Sequence, residues 1–143
     1  MHVDRLEDLR QFTSLNELSE FLHSSLIPFE DPVDQIRDGL EYAFSNAAGE
    51  GGFVLLAREE GETVGALVML RTGMEGYVPP NLLLYVAVRP DRRGRGVGGR
   101  LIEESLKRCG GDVKLHVEYD NPAKRLYERL GFESRYAEMR YSR

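Results

Sequence analysis

The chain has 143 residues, 41% hydrophobic and 30% charged, the profile of a water-soluble globule with room for a core. Its charge of −5 and acidic balance argue against a nucleic-acid partner, and no apolar run reaches the length of a membrane span. Cys109 is the single cysteine, which leaves no internal disulfide and no cysteine cluster for a metal.

The charge is unevenly spread. Residues 1–50 hold 3 basic and 11 acidic side chains, whereas residues 89–143 hold 14 basic and 9 acidic. The basic third suits an anionic ligand and the acidic third a cationic one. The N-terminus lacks the basic-then-apolar pattern of a secretion signal, so a cytoplasmic location is expected.

In chain order, Val3, Leu6, Leu9 and Phe12 recur every three residues and favour a helix or irregular turn. Ser14 followed by Glu17 has the spacing of a capping box, and Leu15, Leu18, Phe21 and Leu22 form the stripe of a helix that Pro28 ends. A second helix starts near Asp31-Pro32, with Val33, Ile36, Leu40, Ala43 and Phe44 on its apolar face. Residues 53–58 and 63–70 read as an antiparallel hairpin, in which Gly65 marks a bulge. Residues 71–81 form a loop long enough to line a site.

Residues 82–88 are an unbroken apolar run, read as a buried strand that Arg89-Pro90 stops. Gly94, Gly96, Gly98 and Gly99 follow within six positions, with Arg93 and Arg95 among them. Val97, Leu101, Ile102, Leu106 and Cys109 then recur at helical spacing, which makes Cys109 a core thiol. Strand, basic glycine turn and helix together suit a phosphate: the first N–H groups of a helix lack partners, and its dipole adds positive charge there. Residues 113–119 read as a strand with His116 and Glu118 on one face. Asn121-Pro122 opens a last helix that Gly131 stops, and residues 132–136 and 138–141 read as two final strands.

Three phosphate loops compete for the glycine turn. A P-loop is excluded because its lysine is missing. A dinucleotide fingerprint fits Gly94, Gly96 and Gly99 formally, but Arg89–Arg93 intervenes after the strand, and too little chain remains for a second half. The third pattern, Gln/Arg-x-x-Gly-x-Gly/Ala, is met by Arg93, Gly96 and Gly98. It resembles the pyrophosphate loop of the GNAT N-acetyltransferases. Residues 115–132 resemble the family's second signature, Asn-x-x-Ala-x-x-Leu-Tyr-x-x-x-Gly-Phe.

The resemblance implies a single α/β (α+β) domain over residues 1–143, with a mixed, mainly antiparallel sheet whose central strands splay apart between helices. It implies acetyl-CoA as cosubstrate, wedged into the splay, and no metal. Val86, Ala87 and Val88 match the positions that pair with the pantetheine arm. Gly94 to Gly99, with Val97 among them, match those that hold the pyrophosphate. Asn121 matches a residue near the pantetheine, and Tyr127 the tyrosine near the coenzyme sulfur. The spacing from Asn121 to Tyr127 is one residue short of the family's, so Asp120 competes for the Asn position.

The implied reaction is attack of an amine, small-molecule or peptide, on the thioester in a ternary complex. Tyr127 then stabilises the leaving thiolate, and the Val88 N–H polarises the carbonyl. His116 and Glu118 are the candidate bases, with Glu75 and a water chain as alternatives. A coenzyme-binding sensor without transferase activity is the competing reading. A homodimer stays open.

Overall fold

The computed structural model describes residues 2–3 and 6–143. Five strands form one sheet in the order β1 (His2–Val3), β2 (Gly52–Glu59), β3 (Glu62–Arg71), β4 (Asn81–Val88) and β5 (Val113–Leu115). The first three pairings are antiparallel and β4–β5 is parallel. The mixed, mainly antiparallel sheet expected from the sequence is therefore present. Helices α1 (Leu6–Leu9), α2 (Leu15–Leu26) and α3 (Val33–Ala43) precede β2; α4 (Val97–Arg108) joins β4 to β5, and α5 (Ala123–Arg129) follows β5.

Each face of the sheet buries its own apolar cluster. Leu18, Leu22, Ile36 and Leu40 of α2 and α3 pack with Val54, Leu56, Val68 and Tyr85 on one face. Val97, Leu101 and Ile102 of α4 pack with Phe53, Leu55, Leu67 and Leu83 on the other. Burying a side chain of this size stabilises by roughly 1.5–3 kcal/mol, so two covered faces suffice to hold a short sheet. The middle of each stripe read from the sequence is buried, Leu18 and Leu22 on α2, Ile36, Leu40 and Ala43 on α3, Val97, Leu101 and Ile102 on α4, whereas Val33 is exposed and Leu15, Phe21, Phe44, Leu106 and Cys109 are half-buried; Ser19 and Ser25 join the buried face of α2 and Ser105 that of α4.

Two bulges shape the sheet. Ala57 pairs with Gly65 and Arg58 with Thr63, so Val64 is the extra residue, next to the glycine singled out above. A Cβ on Gly65 would stand 3.0 Å from Val97 and 3.1 Å from Leu101, so α4 approaches β3 closely there. The second bulge is on β4: Val68 pairs with Tyr85 and Met69 with Leu83, which leaves Leu84 over. Side chains alternate across a strand, and one extra residue shifts that alternation. Leu83 accordingly faces the α4 side, whereas both Leu84 and Tyr85 face α2 and α3.

Several expectations are corrected. The helix or irregular turn expected over residues 1–12 is corrected in part: among the described residues His2–Val3 pairs with β2 as a strand and Leu6–Leu9 is helical, while Met1, Asp4 and Arg5 fall outside the described residues. The unbroken apolar run 82–88 alternates between buried and half-buried positions rather than being buried throughout. β5 stops at Leu115 instead of residue 119, so His116 and Glu118 do not share a strand face. Residues 132–143 form neither expected strand. Their alternating charges pair within the tail, Arg135 with Glu133 and Arg140 with Glu138, and a three-residue β5 offers little edge for another strand.

Candidate functional site

The parallel pairing of β4 with β5 runs from Asn81–Val113 to Leu83–Leu115 and then ends. Beyond it the β5-side edge of β4 lies open. The Arg89 N–H donates to Val64 O on β3 at 2.8 Å. Strand alternation therefore turns the backbone groups of Tyr85 and Ala87 toward β3, and those of Val86 and Val88 toward the open edge. Of the three strand positions implied by the resemblance, Val86 and Val88 present their N–H groups there and Ala87 does not.

The chain leaves β4 through a 3-10 turn, Pro90–Arg92, into Gly94 and Gly96, whose φ angles of 77° and 80° are left-handed. Only glycine adopts that region without strain. Gly96 is the N-cap of α4 and offers no capping side chain. Among the described residues, the N–H groups of Gly94 through Gly99 make no hydrogen bond. Six unpaired donors thus lie at and just before the positive end of a twelve-residue helix, a place suited to an anion.

The arginines around this turn divide into two groups. Arg89 pairs with Glu62 at 2.9 Å and Asp91 at 2.6 Å, and Arg92 pairs with Glu59 at 2.7 Å. The Arg89 guanidinium holds the Asp91 carboxyl below its ordinary range. Arg93, expected at the phosphate, donates from Nε to Val88 O at 3.2 Å and from Nη2 to Ser25 O at 2.5 Å. It ties the end of α2 to the open edge of β4. Arg95 alone in the turn has a side chain without a bond among the described residues.

Helix α5 flanks the same turn. Leu126 reaches Gly98 and Gly99, so the first turn of α4 and the face of α5 touch. Asn121 Oδ1 accepts from the Ala123 N–H at 2.9 Å, and its Nδ2 donates to Glu118 Oε2 at 3.2 Å. That is the capping role read from the sequence, with helical backbone already at Pro122. Gly131, at φ 101°, is the left-handed stop.

Tyr127 packs edge-on against Phe132 at 5.9 Å, and its hydroxyl has no hydrogen-bond partner among the described residues. Burial, with the Glu118 charge adding to it, pushes its phenol up to about 12. His116 and Glu118 both lie exposed on the irregular chain beyond β5, and of the two only Glu118 contributes to the Tyr127 shift. Cys109 caps the far end of α4, half-buried, its thiol pushed up by burial against the opposing Arg71 charge. No group of three His, Cys, Asp or Glu among the described residues is placed to hold a metal.

One contact was not read from the sequence. Tyr85 of β4 is 8% exposed and donates to Asp31 Oδ2 at 2.8 Å, across 54 positions. The one sequence signal was a phenol inside an otherwise aliphatic strand.

The family model described as an acetyltransferase (GNAT) domain matches residues 50–134. A mycothiol acetyltransferase from Rhodococcus opacus is 32% identical over 91 residues, 63% of this chain and 28% of that protein. Another from Corynebacterium aurimucosum is 52% identical over 52 residues, 33% of this chain and 17% of that protein. The chain therefore spans under a third of the length of these curated relatives. An aminoglycoside N-acetyltransferase, AAC(6')-Iy, solved in complex with CoA, is similar in fold, with a TM-score of 0.70 at 18% identity. The match covers 100% of this chain and 93% of that one. No described helix is long and apolar enough to cross a membrane.

Proposed function

The chain belongs to the GNAT acetyltransferase family, and from that premise we propose that it transfers the acetyl group of acetyl-CoA to a primary amine. The observation that carries this reading is the row of unpaired N–H groups from Gly94 to Gly99, continuous with the open edge of β4. Those amides, with Arg95, hold the pyrophosphate. Val86 and Val88 pair with the pantetheine arm, and the Val88 N–H polarises the thioester carbonyl. Arg93 acts one step back, as the clamp between the open edge and α2.

In the reaction, the amine nitrogen attacks the carbonyl carbon; the N–C bond forms and the C–S bond breaks. An alkyl amine of pKa near 10.4 is neutral in only about one part in 10³ at pH 7, so the proton must leave. Of the two exposed candidates, His116 and Glu118, we take Glu118 as the acceptor of that proton, because its charge acts on the Tyr127 hydroxyl. Tyr127 donates a hydrogen bond to the departing thiolate. With its phenol near 12 and a thiol near 8.5, full proton transfer is uphill by about 5 kcal/mol, so the stabilisation is electrostatic. Asn121 supports the site by capping α5, which carries Tyr127.

Calorimetry with CoA and a thiol-release assay with acetyl-CoA and a panel of amines test the proposal. Gly96→Val fills a left-handed position in the turn, so CoA affinity is expected to fall at least tenfold, about 1.4 kcal/mol. Unchanged affinity in a folded variant overturns the assignment of the turn. CoA binding without thiol release for any amine favours the sensor reading.

A further inference from the structure

The loop between α2 and α3 is held over the C-terminal half of β4 from two sides. Arg93 binds Ser25 O at the end of α2 and Val88 O on the open edge. Tyr85 Oη, one residue before Val86, binds Asp31 Oδ2 at 2.8 Å. Asp31 is itself exposed, so this bond fixes the carboxylate without covering it. A second link sets the backbone: His23 Nδ1 lies 2.9 Å from Asp31 O. In the same loop, Glu30 Oε2 is buried without a partner among the described residues, an acceptor the fold leaves unmet. The Asp31 charge also adds to the stabilisation of the Arg140 cation on the tail, after the nearer Glu138.

We infer that Asp31, positioned by Tyr85, selects an acceptor amine that carries a second cationic group. The inference rests on the acetyl-transfer reading above. The nitrogen that attacks must be neutral, and a carboxylate bound to that nitrogen would hold it in its protonated, unreactive form. A fixed anion beside the reacting strand therefore suits a charge elsewhere on the acceptor. A diamine satisfies both demands: one nitrogen gives up its proton and attacks, while the other stays an ammonium on Asp31. The 11 acidic side chains of residues 1–50 against 3 basic ones favour the approach of such a dication. Tyr85 stays protonated, since burial and Asp31 both push its phenol up, so it remains a donor to the anchor. Asp31 binds the spectator ammonium and takes no proton, and Tyr85 is the positioning residue.

The test compares 1,5-diaminopentane with n-pentylamine, which match in length and differ by one ammonium, in the thiol-release assay. The wild-type chain is expected to show kcat/KM at least tenfold higher for the diamine. Asp31→Asn should remove that preference through the diamine KM, with kcat and both pentylamine and acetyl-CoA constants unchanged. Tyr85→Phe should reduce the preference by several-fold. An Asp31→Asn variant that keeps the preference overturns the inference. So does one that lowers kcat for both amines alike, since that marks a base. Equilibrium dialysis of labelled 1,5-diaminopentane against the CoA-saturated chain separates the two readings. Binding lost in Asp31→Asn, without turnover in the wild type, supports the anchor and sinks the transfer reaction. Absence of wild-type diamine binding overturns the anchor, whatever the turnover.

Discussion

The two sides of the splay are built differently. On the β4 side, an eight-residue strand, a glycine turn and a twelve-residue helix form one continuous unit packed on a buried cluster. On the β5 side, a three-residue strand leads into irregular chain, a seven-residue helix and a tail in which Tyr136, Met139 and Tyr141 are 74–91% exposed. The first side offers backbone N–H groups, which are the same in every chain once the turn is set. The second offers side chains, which can be exchanged without disturbing a ladder. A constant ligand suits the first; exchangeable side chains, those of the second side and of the loop between α2 and α3, suit a variable acceptor.

The contrast implies that the β4 side carries the stability, and Ile102→Ala tests it most severely. Ile102 is 0% exposed and joins α4 to Phe53, Leu67 and Leu83 across the sheet. Truncation leaves a cavity between α4 and the sheet and is expected to cost about 2–5 kcal/mol, read as a shift in denaturant midpoint at unchanged slope. A loss below about 1 kcal/mol would mean that α4 is not the keystone this packing makes it.

That difference also explains what could be read from the sequence. The centre of the α4 stripe, the Gly131 stop and the Asn121 cap are local instructions, written within one helix or one turn, and each is observed. The strand ends are not local. Whether residues 116–119, 132–136 and 138–141 pair depends on a neighbouring edge, and alternation in the sequence cannot supply one. The Tyr85–Asp31 contact spans 54 positions and follows a bulge that re-aims Tyr85 by one residue, so no spacing rule could have found it. Arg93 shows the same limit: its place in the motif suggests a phosphate, whereas its bonds run to two carbonyls.

A middle-sized effect comes from the two phenols near β4 and α5. Tyr127 titrates near 12 in the folded chain and near 10 when unfolded. Below pH 10 both states are protonated and its contribution is complete. Between pH 10 and 12 the unfolded chain loses the proton while the folded chain keeps it, so stability falls by about 2–3 kcal/mol. Tyr85, raised for the same reason, acts in the same direction. Denaturant titrations at pH 9 to 12 should show a shallower alkaline decline in Tyr127→Phe than in the wild type. Parallel curves would mean that the hydroxyl is not held in a dry site.

The smallest effect bears on the weaker side of the splay. Asn121 Oδ1 caps the Ala123 N–H, so Asn121→Ala should cost about 1 kcal/mol. Because α5 has only seven residues, all at least partly accessible, its loosening should stay local. Amide exchange of residues 123–129 should quicken while α4 keeps its protection. Asn121→Asp retains an acceptor at the cap but sets a second carboxylate beside Glu118, where Asn121 Nδ2 now donates. The Asp variant should therefore hold α5 better than the Ala variant and still fall short of the wild type. Equal loss in both would place the role of Asn121 in its Glu118 bond rather than in the cap. That outcome would tie the helix carrying Tyr127 to the base candidate, because the one hydrogen bond would then orient both.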